Sequence, residues 1–167
     1  MSSFQAVAIP TEVAESVRAT MKSPKYGFPA HKEVAAGRAP CRHCLQLVKI
    51  HEEEAILFTM DAFHGQHVPP SPGPVYIHAK ECTRYEGSQE IPETYRGRLL
   101  TLEGFGADRK LVAEVRTTNG EEDSVARMLL ARQDVEYVHV RSTEAGCYLF
   151  RLERSKAGEQ DYAPRSE

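Results

Sequence analysis

The sequence predicts an α+β fold, with a mainly antiparallel sheet of about five to seven strands and two principal helices. Short apolar or alternating segments recur along the chain, separated by turn residues, and two pairs of them have the spacing of hairpins. The two helical periodicities stand apart and do not alternate with every strand, which favours α+β over a parallel α/β arrangement. At 167 residues, the chain can bury a core without disulfide bonds.

The first quarter of the chain predicts one strand and one helix before its pattern becomes irregular. Residues 4–9 alternate as a strand does, and an apolar stripe that begins after Pro10 predicts a helix over residues 11–22. Residues 23–40 contain three prolines and two glycines and show no period, so we expect an irregular segment. The apolar residues 45–50 are compatible with either a helix or a strand.

The remaining elements are predicted from short apolar runs bounded by turn signals. The runs at 55–60 and 75–80 predict strands, with loops over 63–74 and 86–97. Two hairpins and a helix are expected to follow, at 99–105 with 110–117, at 120–132, and at 135–141 with 146–153. We therefore predict a single globular domain over residues 1–154 and a polar, disordered C-terminal tail over residues 155–167.

Charge and cysteine usage narrow the functional classes. The formal net charge is −3, which argues against nucleic acid as a main partner, and no apolar run approaches the length of a membrane span. The N-terminus lacks the features of a signal peptide, so a cytoplasmic location is expected. In that compartment the four cysteines predict metal ligands, reactive thiols or core residues before they predict disulfides.

The segment Cys41-Arg-His-Cys44 is a C-x2-C element. Two thiolates at this spacing on a tight turn can bind one metal ion and form half of a zinc site. The same spacing serves a redox dithiol when it opens a helix, because the helix dipole lowers the pKa of the first thiol. A second C-x2-C is absent, so a zinc site made from all the cysteines would be assembled by the fold.

Two further segments place histidines near the remaining cysteines. His78 lies off the core-facing side of its predicted strand, and Cys82 comes just after that strand. In the last hairpin, a five-residue loop would pair Arg141 with Cys147 and bring both to the face that carries His139. Val138 and Val140 are then the expected core contacts, and a slip of one residue would reverse this arrangement.

Together these segments resemble the bacterial domain-of-unknown-function 1203 family over nearly the whole chain. The resemblance rests on Pro40 to Leu45, on Gly73 to His78 running into Cys82 and Tyr85, and on His139 to Arg141 with Gly146 and Cys147. It implies a small stand-alone bacterial protein with a common fold and supports grouping the three segments. It implies no particular activity or substrate.

Three hypotheses for the cysteines stay open at this point, and they leave open whether the protein is an enzyme. The first is a structural zinc ion held by Cys41, Cys44, Cys82 and Cys147, with His78 and His139 as alternative ligands. The second is a thiol enzyme in which Cys41 attacks, Cys44 resolves, and His139 and Arg141 tune the thiol or bind substrate. The third is a non-enzymatic binding module with unrelated core cysteines. Under any of them, the face with His78, His139 and Arg141 could bind a small anionic ligand, with His78 and Arg141 as its main contacts.

Overall fold

Antiparallel strand pairing organises the chain, which a computed structural model describes over residues 3–156. Within that range the predicted α+β class is confirmed, with two α-helices and three antiparallel sheets, the largest of five strands. The elements in chain order are β1 (Phe4–Val7), α1 (Thr11–Thr20), β2 (His31–Val34), β3 (Ala39–Pro40), β4 (Leu47–Val48), β5 (Glu54–Asp61), β6 (Pro72–His78), β7 (Leu100–Phe105), β8 (Leu111–Arg116), α2 (Glu122–Ala131), β9 (Tyr137–Ser142) and β10 (Tyr148–Arg154). The predicted tail lies outside the described residues from position 157 onward.

The main sheet has the strand order β1-β10-β9-β7-β8 and packs one face against α2. Val138 and Val140 of β9 are fully buried in the same cluster as Leu129 and Leu130 of α2, which confirms them as core contacts. Alternation sends the intervening residues of β9 to the opposite face of the sheet. The main sheet therefore has a helix-covered face and a second face that other elements cover.

The second layer contains the three-stranded sheet β2-β5-β6, the two-stranded hairpin β3-β4, and α1. Strand β5 lies in the centre of its sheet, and its apolar run is largely buried, as predicted. Ala14 and Val17 of α1 are buried in the same cluster as residues of β5 and β6. Tyr148 of β10 joins this cluster too, so the second layer packs directly against the main sheet.

Residues 23–40 are less irregular than predicted, since they contain β2 and β3. All four side chains of β2 are exposed, and its sequence shows no alternation of buried apolar residues. The strand is defined only by its pairing with β5. The ambiguous residues 45–50 provide the short strand β4. The helix predicted to end at Lys22 ends at Thr20, because Met21 adopts a left-handed conformation with φ of 52°.

The expected register of the last hairpin is wrong by one residue. Arg141 lies opposite Tyr148, and the N–H of Ser142 donates to the carbonyl of Cys147. A bulge between Tyr148 and Phe150 then shifts the register by one more residue, which places Arg151 opposite His139. Cys147 therefore belongs to the connection between β9 and β10, and its side chain is not a directly paired neighbour of Arg141.

Candidate metal centre

The tight turn between β3 and β4 holds Cys41 and Cys44. The N–H of Cys41 donates to the carbonyl of Gln46, and the N–H of Leu45 donates back to the carbonyl of Cys41. Leu45 has a φ of 57°, a left-handed conformation that a non-glycine residue adopts only in a special setting such as this reversal. The turn brings both thiols to one side of a two-stranded hairpin.

The end of β6 contributes the other half of the site. A parallel bridge pairs Cys41 with Tyr76, and the N–H of Arg42 donates to the carbonyl of Tyr76 at 3.0 Å. His78, the last residue of β6, donates its backbone N–H to the Sγ of Cys41 at 3.3 Å. Cys82 then approaches from the segment that follows β6.

Four ligand atoms converge where these two halves meet. The Sγ atoms of Cys41, Cys44 and Cys82 and a ring nitrogen of His78 all lie within 4.8 Å of one another. The Sγ atoms of Cys41 and Cys82 are 3.9 Å apart, and the Sγ of Cys44 is 3.4 Å from Nδ1 of His78. A tetrahedral ion with Zn–S bonds of about 2.3 Å has sulfur–sulfur edges of about 3.8 Å, so the spacing fits such an ion.

A carboxylate orients the histidine of this set. The Oε2 atom of Glu53 lies 3.2 Å from Nε2 of His78, while the backbone N–H of Lys49 donates to the same oxygen at 2.8 Å. With Nε2 held by the carboxylate, Nδ1 is left facing the three sulfurs. This carboxylate–histidine arrangement is typical of metal ligands, because it fixes the ring and raises its basicity.

Two donors converge on the Sγ of Cys82. A terminal guanidinium nitrogen of Arg18 lies 3.2 Å from it, and the Nε of Arg18 donates to the carbonyl of His78. Nδ1 of His43 lies 3.1 Å from the same sulfur, and its Nε2 lies 3.0 Å from the hydroxyl of Thr11. Burial lowers the pKa of His43, which favours a neutral ring that donates from Nδ1 and accepts from Thr11.

The sulfurs and the histidine also perturb one another's protonation. Hydrogen bonds from Cys44 and then Cys82 hold the pKa of the Cys41 thiol well below its usual range, against the opposing effect of burial. The hydrogen bond to Cys41 raises the pKa of the Cys44 thiol. Hydrogen bonds to Cys41 and Cys82 raise the pKa of His78 to about 10. Without a metal, the cluster therefore favours a thiolate at Cys41 beside a protonated imidazole at His78.

The other predicted site residues lie elsewhere. Cys147 is outside the four-atom cluster and lines a cavity between the β9–β10 connection and the residues before β7. Arg141 donates to the carboxylate of Glu103 at 2.8 Å. The structure thus brings three of the four cysteines together with His78 and leaves Cys147 and Arg141 apart from them.

His139 is fully buried on the second face of the main sheet, where it was expected to be accessible. Its ring lies among four aromatic rings with centroid separations of 4.6–5.4 Å: Phe63, Phe105, Tyr137 and Tyr148. Neither ring nitrogen has a hydrogen-bond partner among residues 3–156. Burial lowers the pKa of His139 to about 2, with a smaller contribution from the positive charge of Arg151, so the ring is neutral.

The residues around the cluster had weak or no sequence signals. His43 lies inside the C-x2-C element, which is a local hint of a role near the sulfurs. Glu53 belongs to an acidic run that looks like a solvated turn, and Arg18 and Thr11 lie on a helix far away in sequence. Only the packing of α1 against the end of β6 brings Arg18 to Cys82.

Comparison with known proteins places the chain in a family. A model of the family described as "Protein of unknown function (DUF1203)" matches residues 38–154. The chain belongs to the DUF1203 family. The match covers all four converging residues and Glu53, whereas Arg18 and Thr11 precede the matched part of this DUF1203 protein.

Other comparisons add no relative to the family match. No curated protein and no solved structure matches the chain significantly. Neither of the two helices described in this DUF1203 protein is long and apolar enough to cross a membrane.

Proposed function

We propose that this DUF1203 protein binds one structural zinc ion through three thiolates and one imidazole. The ligands are the Sγ atoms of Cys41, Cys44 and Cys82 and the Nδ1 atom of His78. The observation that supports the proposal is the convergence of these four atoms within 4.8 Å at the meeting point of two hairpins. Four ligands at that spacing match the tetrahedral Cys3His set of structural zinc sites.

The ligand types favour zinc over harder cations. Calcium and magnesium prefer carboxylate and carbonyl oxygens, whereas three soft thiolates and an imidazole suit zinc. The carboxylate of Glu53 contacts the remote nitrogen of His78 and not the sulfurs. The oxygen therefore supports a ligand without joining the four converging atoms.

The surroundings favour a structural ion over a catalytic one. A catalytic zinc keeps a coordination position open for water or substrate, while four protein ligands close the shell. A divalent ion with three thiolates and a neutral imidazole has one net negative charge, which the guanidinium of Arg18 at the Sγ of Cys82 would balance. Cys41 is fully buried, which further separates the proposed ion from solvent.

The thiol-enzyme alternative has weaker support from the same geometry. A redox C-x2-C gains its reactivity at the start of a helix, whereas Cys41 and Cys44 lie in a turn between two strands. Cys41, the candidate attacking thiol, has 0% of its surface exposed. The alternative of unrelated core cysteines is disfavoured by the approach of three sulfurs and a histidine to one point.

Zinc content of cysteine variants tests the proposal. We expect about one zinc per chain in the tag-free protein and in Cys147→Ser, whose cysteine lies outside the cluster. Cys44→Ser and His78→Ala should retain far less zinc in elemental analysis of purified protein. Cobalt substitution of the unaltered chain should give thiolate-to-cobalt charge-transfer absorption with tetrahedral ligand-field bands.

Two results would overturn the proposal. One is an unaltered chain that folds and stays folded without metal and binds neither zinc nor cobalt. The other is loss of zinc from Cys147→Ser with retention in His78→Ala, which would assign the fourth ligand to Cys147. The cobalt spectrum uses the unaltered chain, so it decides the matter even if the ligand variants fail to fold.

A further inference from the structure

A cavity of about 460 Å³ opens beside the connection between β9 and β10, lined by residues outside the proposed zinc ligands. Its volume is within the range of small-molecule binding sites. The walls come from the end of the second layer at Arg38 and Pro40, from residues 95–100 before and at the start of β7, and from residues 142–149. Three separate chain segments therefore line the cavity.

The lining has an apolar part that the fold leaves uncovered. Leu100 and Leu149 are buried and contribute to the wall, and Leu99 beside them has 52% of its surface exposed. An exposed leucine alone is ordinary, but this one lies at the edge of a concave surface with two further leucines behind it. The arrangement suits the hydrocarbon part of a bound molecule.

Two arginines, Arg38 and Arg98, line the same cavity. The side chain of Arg38 is exposed and makes neither a hydrogen bond nor an ion pair within residues 3–156, and the guanidinium of Arg98 donates only to the carbonyl of Thr94 in that range. Glu144 is the one acidic residue of the lining, so the two arginines leave a net single positive charge. That balance suits a monoanion better than a phosphate dianion, and guanidinium groups bind carboxylates well.

We propose that this cavity binds a small amphipathic carboxylate, with its carboxylate at Arg38 and Arg98 and its hydrocarbon part against Leu99, Leu100 and Leu149. The site differs from the surface that the sequence suggested for an anion, which involved His78 and Arg141. It also uses none of the four proposed zinc ligands. The zinc proposal and the carboxylate proposal are therefore independent, and failure of either would not affect the other.

Cys147 provides a reporter, because its partly exposed thiol lies in the cavity wall. The experiment follows alkylation of Cys147 by iodoacetamide in the full, metal-replete chain, using peptide mass spectrometry. Hexanoate, octanoate and phenylacetate are the probes, and octanamide is the uncharged match. At millimolar concentration, we expect octanoate to slow the modification of Cys147 severalfold, while octanamide has little effect. Calorimetric titration then measures the octanoate affinity.

Arginine variants test the carboxylate contacts. Arg38→Gln and Arg98→Gln should each weaken octanoate binding by about tenfold to a hundredfold, the range for losing a hydrogen bond to a charged group. Arg116→Gln, on β8 and outside this cavity, is the matched control and should bind octanoate normally. Arg38 is exposed, so its substitution removes no core contact.

Several outcomes would overturn the inference. Lack of protection and of binding by all three carboxylates is one, and equal binding of octanamide and octanoate is another. Protection by inorganic phosphate without protection by the carboxylates would indicate a phosphate site instead. Equal octanoate affinity in Arg38→Gln, Arg98→Gln and Arg116→Gln would show that the two arginines do not hold the ligand.

Discussion

Single residues around the candidate metal centre hold the ligands without belonging to the four converging atoms. Glu53 contacts the far nitrogen of His78, and Arg18 and His43 both reach the Sγ of Cys82. Such outer contacts fix the tautomer and direction of a ligand and affect metal affinity strongly. The contribution of Glu53 can be tested because the same acidic run supplies a matched control.

Glu53→Gln is expected to weaken zinc binding about tenfold to a hundredfold, since the amide supports the imidazole of His78 less well than the carboxylate. Competition with a chromophoric chelator measures the change in affinity. Glu52→Gln is the control, because Glu52 is exposed in the same run and does not contact His78. Equal zinc affinities of the two variants would contradict a supporting role for Glu53.

At the scale of secondary-structure elements, the proposed ion would join parts that are weak alone. Strands β3 and β4 have two residues each, and an isolated two-stranded hairpin is marginal even when longer. A bridge from Cys41 to Tyr76 and a few hydrogen bonds attach this hairpin to β6. A metal held by both parts would stabilise their contact directly.

Removal of zinc by a chelator should therefore loosen residues 39–48 and 76–82 while leaving the main sheet intact. Hydrogen exchange followed by mass spectrometry is expected to show at least about tenfold faster exchange in these segments, because local opening no longer has to break metal bonds. Residues of α2 and β9 serve as the internal control and should keep their protection. Unchanged exchange in 39–48, or equal loss across the whole chain, would contradict a local role.

On the scale of the whole molecule, a neutral histidine lies between the two layers. His139 is surrounded by aromatic rings and by charged or titratable groups from several elements: Arg151, Arg141, His64, Arg109 and Glu103. Its folded-state pKa of about 2 lies below the value of about 6.5 expected for an unfolded histidine. Between these values the unfolded chain binds a proton that the folded chain does not.

This difference predicts acid sensitivity with a definite sign. The free energy of unfolding should fall as the pH drops below about 6.5, by up to about 1.4 kcal/mol per pH unit from His139. Between pH 7.5 and pH 5 the loss from this residue is about 2 kcal/mol. Urea unfolding of the unaltered chain and of His139→Phe at both pH values should show a smaller loss in the variant, since phenylalanine does not titrate.

The control for the pH experiment is His67→Gln, because His67 is exposed in a loop. Its loss of stability should equal that of the unaltered chain. Comparing proteins at equal zinc and pH removes any common effect of the metal site. If His139→Phe and the unaltered chain lose the same free energy between the two pH values, His139 is not the origin of the acid sensitivity.

How far each element could be predicted depended on how local its signal was. The largely buried strand β5 and the helices α1 and α2 have apolar patterns within their own residues, and all three were predicted close to their observed bounds. Strand β2 has four exposed side chains, so no local pattern exists, and its pairing with β5 alone defines it. The one-residue error at Arg141 arose because the connection from Arg141 to Tyr148 is one residue longer than expected, and composition does not fix the length of a loop.

The same contrast between local signals and long-range contacts applies to the candidate site. Spacing within the chain was enough to single out Cys41 with Cys44 and His78 with Cys82, because each pair is close in sequence. The sequence alone did not show that Cys147 lies apart from the other cysteines, or that Glu53 and Arg18 support the site. The contacts of Glu53 and Arg18 with the site join residues 25 to 64 positions apart. Such contacts form only when α1, the β3–β4 turn and the end of β6 pack together, and a single sequence has no local pattern that encodes them.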